Sequence, residues 1–349
     1  MHVYQVDPTA DTRWSELVNR HPRASVFHTV GWLEALRRTY DYQPSVFTTS
    51  PPAEPLENGL VFARINSWIT GRRLVSLPFS DHCEPLCSNR QELIFLLRYL
   101  QSDLPAQEWK YIEARPSTLD FGALGDGVEF LPGAKYSLHV LDLSPNLASI
   151  LSGLHKDSVQ RRIRHADRAS LVEKCGRSED LANQFYRLFV VTRKRHQIPP
   201  IPHEWFRNLI RCLGAAIEIR MAYKDGVPVA GIVTLRFKDI LYFKYGCSDS
   251  RYNSLGATPW LLWRAIADAK STGATSFDMG RTLNSNDGLL AFKNHWVPNP
   301  TQLVYWQYPY TSAFELVEDW KLQTANRIFS HMPNWMLKVA GNLAYRHIG

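Results

Sequence analysis

Cysteine is scarce in this sequence: five residues in 349, an odd number, with no Cys-x-x-Cys pair. Cys83 and Cys87 stand four apart with no second pair nearby, so neither a disulfide framework nor a thiolate zinc site is indicated. Reduced thiols in a cytoplasmic protein are the reading that follows. Long apolar runs are also missing. No window approaches the roughly 20 residues that span a bilayer. The opening MHVYQVDPTADTRW carries Asp7 and Asp11 where a signal peptide would have an apolar core. Acidic excess is absent too: 40 Lys and Arg stand against 33 Asp and Glu, a formal net charge of +7. A surplus of this size suits an anionic partner such as phosphate, nucleotide, tRNA or an acidic membrane surface, and nothing in the chain points to DNA. Aromatics are plentiful: 11 Trp, 15 Tyr and 16 Phe within 45% hydrophobic content are ample for packed cores. The length favours two domains over one.

Periodicity predicts a mixed α/β first half. Strands are expected at 2–6, 59–65, 73–77, 109–114 and 136–143, with helices at 12–19, about 30–40 and 90–100. The Pro-rich run 78–85, PFSDHCEP, reads as a loop. A basic helix within 147–172 carries Lys156, Arg161, Arg162, Arg164 and Arg168. Arg161, Arg164 and Arg168 share one face, while Leu151, Leu154, Val159 and Ile163 form a partial apolar face. This helix either connects domains as a solvated rod or grips phosphate. Helices at 178–195 and 203–212 follow, then a strand at 217–223 and an antiparallel hairpin of 229–237 with 240–247. A Gly-containing loop leads to a helix at 259–271, with Thr258 as its N-cap and Pro259 as its first residue.

The densest polar run is 275–305, TSFDMGRTLNSNDGLLAFKNHWVPNPTQLVY, expected as strand, Gly turn, loop, short helix, loop and strand. Asp278 lies on the strand face opposite Phe277 and Met279. There it accepts a proton, orients Arg281, or caps the following turn through backbone amides. Arg281 follows Gly280 at the strand's C-terminal end, where α/β ligands bind, and either holds an anion or pairs with Asp278. Lys293 sits on the rim of its helix's apolar face and points along the packed surface to a cleft or snorkels to water. Asn294 and His295 read as surface or cap residues. Lys244, amid Tyr242, Phe243 and Tyr245, either protects an edge strand or faces a groove.

The order of strand, strand, Gly loop, helix, strand, helix and strand resembles the GNAT acyltransferase fold. In that family the loop entering the helix cradles a pyrophosphate with backbone amides. The corresponding run here is Asn253-Ser254-Leu255-Gly256-Ala257-Thr258. Gly256 matches the family's pattern; Asn253 and Thr258 depart from it, and Pro259 lacks an N–H. More widely, the chain resembles the Fem-type (FemAB-like) peptidyltransferases, which pair two GNAT-like domains. The resemblance rests on VFHTVGWLEAL, on LVSLPFSDHCEPL, on the basic RRIRHADRA, and most of all on FDMGRTLNSNDGLLAFKNHWVPNPTQLVY. The tail RIFSHMPNWMLKVAGNLAYRHIG is similar to that of the exopolysaccharide-associated branch.

The resemblance implies an α/β fold (α+β, mixed sheet) with two tandem GNAT-like domains, 1–145 and 146–310, and a C-terminal helical extension, 311–349. It implies acyl or aminoacyl transfer to an amine of a cell-envelope or exopolysaccharide precursor. Acyl-CoA or aminoacyl-tRNA would be the co-substrate, with no permanently bound cofactor and no metal. Candidate catalytic residues are Asp278, Arg281 and Lys293. Candidate substrate-binding residues are Lys244, Arg161, Arg164, Asp81, His82 and Trp296. Asn253, Gly256, Ala257 and Thr258 are the candidate cofactor-binding residues. An anionic or lipid-linked glycan precursor is the expected acceptor, with tRNA as a donor. The stripes Phe314, Val317, Trp320 and Trp335, Met336, Val339, Leu343 fit packing onto the protein and also peripheral contact with the inner membrane surface. Two other readings stay open: a CoA-dependent N-acyltransferase acting on an amino sugar, and a non-catalytic glycan- or nucleotide-binding scaffold.

Overall fold

The computed structural model describes residues 1–125, 127–310 and 334–348. Two compact units emerge. The described residues of the first are 1–125, 127–135, 303–310 and 342–348; those of the second are 136–302 and 334–341. Phe314, Val317 and Trp320 lie outside the described residues, as do the side chains of Trp335 and Leu343.

In the first unit the strands run in the spatial order β1 (Tyr4–Val6), β2 (Gln43–Thr48), β3 (Leu60–Ser67), β4 (Gly71–Val75), β5 (Ile112–Ala114) and β12 (Thr301–Tyr308). Among the described residues only β4 and β5 pair in parallel here, and parallel neighbours need a crossover. The helix Arg90–Asp103 supplies it, started by the Asn89 side chain, which accepts the Gln91 N–H at 2.7 Å. Its Leu93, Leu96, Leu97 and Leu100 pack against Phe47, Phe62, Ile112 and Trp306. Strand β2 had no counterpart among the expected elements. Pro44 argues against a strand, but it sits near the start of this one, opposite Ala63, where one missing N–H is tolerated.

In the second unit the order is β6 (Leu131–Asp142), β11 (Ser276–Leu283), β10 (Ile240–Ser248), β9 (Val227–Phe237), β8 (Ile217–Lys224) and β7 (Val172–Gly176). Again one pair is parallel among the described residues, β10 with β11, and the helix Ala257–Ser271 crosses between them. Its Leu261, Leu262, Ala265 and Ile266 share a core with Ile232, Leu241 and Phe277. The neighbouring Gly231 faces the opposite way, toward Phe185 of the helix Glu179–Arg195, so helices cover both faces of the strands. The expected basic helix is interrupted. It comprises a helix Leu147–Gly153, a wide turn Lys156–Gln160 and a helix Arg161–Arg168, after which the chain enters β7. Buried Arg220 on β8 ties the edge in place, with Glu173 of β7 at 3.1 Å and Asp268 of the crossover helix at 2.7 Å.

Candidate active site where two parallel strands part

β10 and β11 share only three paired positions, Ile240–Ser276, Leu241–Phe277 and Tyr242–Asp278. Immediately beyond them each strand carries a bulge against its other neighbour. In β10, Phe243 and Tyr245 sit opposite consecutive residues Thr234 and Val233 of β9, leaving Lys244 as the extra residue. In β11, Asp278 and Arg281 sit opposite Val140 and Leu138 of β6, so Met279 and Gly280 together face His139. A bulge bends its strand and sharpens the twist. Two bulges at one level, on strands held by different neighbours, open a wedge between them. Lys244 lies on an interior strand of the sheet but beyond its last pair with β11, so the side toward β11 is open at its level; its ammonium is 5.8 Å from the Tyr245 ring.

The polar residues of β11 shape this bulge. Gly280 adopts φ +70, the left-handed region that favours glycine. The Asp278 side chain accepts the Gly280 N–H at 2.7 Å and is 4% exposed. That matches the turn-capping reading and commits one carboxylate oxygen to the backbone. The Gly280 and Arg281 carbonyls, at the bulge, both accept from the Lys293 ammonium at 2.9 Å. Lys293 is 3% exposed. It neither snorkels nor hangs over a surface: the helix Asp287–Asn294 directs it inward onto the bulge. Asn286 begins this helix by accepting the Leu289 N–H at 3.2 Å. Phe292 and Trp296 anchor it in the core. Trp296, expected at the substrate, is a buried packing residue. The Arg281 guanidinium lies 4.3 Å from the centre of the Tyr136 ring on β6, half-buried.

Sequence patterning does not single out His139. It is fully buried on β6 opposite the bulge, and its Nε2 is 2.9 Å from the Asn294 side-chain oxygen. Its Nδ1 has no hydrogen-bond partner among the described residues. Burial holds its imidazole below the usual range, and the Lys293 charge adds to this while the Asn294 contact opposes it. Asn294 is thus an interior contact, whereas His295 does end the helix as its C-cap. The only sequence signal for His139 was a histidine at an inward position of YSLHVLD.

The Gly loop takes a different form from the one expected. The helix starts at Ala257, with Gly256 as its N-cap at φ +73, so Thr258 is not the cap and Pro259 is the third residue. Trp260 N–H bonds to the Gly256 carbonyl at 3.2 Å. The helix therefore offers the amides of Ala257 and Thr258 but none from Pro259. The approach to Gly256 is occupied by the basic segment: a Cβ built there would lie 2.6 Å from the Arg162 carbonyl oxygen. Arg162 also donates to the Asn253 carbonyl at 3.1 Å. Arg161 and Arg164 are exposed; Arg161 pairs with Asp157 at 3.2 Å and Arg164 donates to Gln160 at 3.1 Å.

Asp81 and His82 belong to the first unit, half-buried on the loop 78–85. Leu77 and Phe79 adopt positive φ, 53° and 61°, a conformation that non-glycine residues take only when their surroundings impose it. Arg115 imposes it through the Leu77 carbonyl at 3.0 Å, and Tyr305 hydroxyl through the Asp81 carbonyl at 2.7 Å. Buried His28 completes the clamp. Its Nδ1 accepts the Ser25 N–H at 3.0 Å, so Nε2 carries the proton toward the Glu84 carbonyl at 2.9 Å. Burial lowers the His28 pKa to about 4. The unfolded chain then binds a proton near pH 6.5 that the folded state refuses until about pH 4. Stability is therefore full above the unfolded value and falls as pH drops through that window. About 2 kcal/mol should be lost between pH 7 and pH 5 from this residue. Urea unfolding at both pH values, compared with His28→Gln, checks it; equal pH slopes in the two proteins would refute it.

Residues 155–294 match the acetyltransferase (GNAT) domain family. The fold is GNAT-like. No curated protein is significantly similar to the chain. Among solved structures, FemX superposes with a TM-score of 0.70 at 14% identity, covering 91% of this chain and 100% of FemX. A C-terminal domain from Agrobacterium fabrum, of a protein described as a lysylphosphatidylglycerol synthetase, gives 0.58 at 13% identity, with 89% and 95% covered. A tandem GNAT protein from the clavulanic acid biosynthesis pathway gives 0.54 at 11%, with 88% and 98% covered. At these identities the likeness is one of fold. No helix among the described residues is long and apolar enough to cross a membrane.

Proposed function

We propose that this protein is an acyltransferase that moves an acyl or aminoacyl group onto an amine of a cell-envelope or exopolysaccharide precursor, forming an amide. The observation that carries the reading is the Lys293 ammonium, held on the Gly280 and Arg281 carbonyls where β10 and β11 part. Attack of an amine on an ester or thioester carbonyl puts negative charge on the carbonyl oxygen. A fixed cation stabilises that charge without reorganising. Arg281, stacked on Tyr136, and Lys244, at the facing bulge, are suited to hold an anionic part of the substrate. Asp278 is committed to Gly280, which supports solvent as the acceptor of the amine proton over Asp278 as a direct base.

For the donor we favour aminoacyl-tRNA. The Arg162 carbonyl against Gly256 and the missing amide of Pro259 both count against a pyrophosphate seat. The match of 155–294 to the acetyltransferase family favours the second reading, a CoA-dependent N-acyltransferase acting on an amino sugar. A FemX and a lysylphosphatidylglycerol synthetase among the fold neighbours support an envelope or lipid-borne acceptor, reached from the cytoplasmic side. A thermal-shift panel separates these readings. A ligand at a hundred times its Kd stabilises the folded state by about 2.7 kcal/mol. Aminoacyl-tRNA is expected to raise the midpoint while acetyl-CoA leaves it in place. A tight complex with CoA that dephosphorylated pantetheine cannot reproduce would establish the second reading instead. If neither donor shifts the midpoint and no amide forms, the protein is a scaffold.

A further inference from the structure

The turn between β3 and β4 holds two apolar side chains out in water. Ser67 and Gly71 are its last paired residues, leaving Trp68, Ile69 and Thr70 at the tip. The tip has a fixed shape. Ser67 hydroxyl accepts the N–H groups of Ile69 at 3.2 Å and Thr70 at 3.0 Å. Gly71 adopts φ +86, with the Lys110 side chain packed where a Cβ would be. The His347 carbonyl, near the end of the helix Asn334–Ile348, accepts from Thr70 hydroxyl at 3.0 Å and from buried Arg73 at 2.8 Å. On this support Trp68 is 87% exposed and Ile69 49%. Every other tryptophan whose burial is described is buried or half-buried.

Cations surround the tip. Arg72, Lys110 and Arg346 are exposed, and the His347 ring meets the Trp68 ring edge-on at 5.7 Å. Two carboxylates stand among them, Glu108 at 2.7 Å from Arg72 and Asp41 at 3.5 Å from Arg346. The permanent charges thus leave a positive balance beside an indole and an aliphatic side chain. Indole rings settle at the headgroup level of a bilayer, an aliphatic chain enters the acyl boundary, and Lys and Arg meet anionic headgroups. We propose that this hairpin tip docks the protein on an anionic lipid surface, with Trp68 and Ile69 inserted and Arg72, Lys110 and Arg346 against the headgroups. The contact requires no particular donor or acceptor.

Cosedimentation with vesicles tests it. The full chain should bind vesicles of equimolar phosphatidylcholine and phosphatidylglycerol, bind pure phosphatidylcholine weakly, and release as salt rises. The double variant W68S/I69S should partition about tenfold less or lower. Its thermal midpoint should stay unchanged, because neither side chain contributes to a core. The proposal fails if the wild type does not sediment, or if the variant sediments equally well. It also fails if analytical ultracentrifugation shows a dimer that the variant loses, which would assign the tip to a second copy of the chain.

Discussion

Lys293→Met is expected to slow amide formation by about two to three orders of magnitude, the usual loss on removing one group that stabilises an oxyanion. Methionine keeps an unbranched side chain of similar length at this buried position and removes the charge. The Gly280 and Arg281 carbonyls would then lose their shared donor. Leaving buried acceptors unpaired costs about 1–3 kcal/mol in stability, so the variant should fold with a lowered midpoint. The two effects separate experimentally. Circular dichroism and urea unfolding report the fold, and single-turnover transfer reports the chemistry. A folded variant that transfers at the wild-type rate would remove Lys293 from the reaction and leave it a structural peg of the bulge.

Gly256→Ala should destabilise the protein by about 2–4 kcal/mol. Alanine in the left-handed region costs about 1 kcal/mol or more. The new Cβ would also lie 2.6 Å from the Arg162 carbonyl oxygen, a backbone atom that no rotamer change moves away. Overpacking of this kind adds about 1–3 kcal/mol. Urea unfolding measures the sum. The outcome also bears on the donor. A loss below about 0.5 kcal/mol, typical of a neutral surface change, would mean that the basic segment moves off Gly256 easily. The loop could then open to a pyrophosphate, and the CoA reading would gain.

The strand 217–223, the hairpin 229–247, the apolar crossover helix and the dense run after Thr275 are legible because each pattern has a local cause. Apolar period, Gly and Asn caps and turn residues act within a few positions. What escaped depends on distant partners. β7 reads Val-Glu-Lys-Cys-Gly, with no apolar alternation, and becomes a strand because β8 and Arg220 hold it. Thr258-Pro259 reads as a cap and first turn, yet Gly256 takes the cap because the Arg162 backbone leaves room only for a residue without a side chain. The pattern around Lys293 places it on a helix rim but not facing inward, since its acceptors are two carbonyls at a bulge on another element. His139 carries only a weak local signal, a histidine at an inward position of its strand. Its meaning comes from Asn294, 155 positions away.

The twin bulges make the opening between β10 and β11 a matter of residue count. Deleting Lys244 would let β10 run in step with β9 from Phe243 onward. Tyr245 would stay opposite Val233, where the Trp205 indole donates to its hydroxyl at 2.7 Å, and the local bend and added twist of the bulge would be lost. Length at this point is thus under tighter constraint than identity. A substitution at Lys244 alters what the wedge presents, whereas a deletion there removes one of the two bends that part the strands.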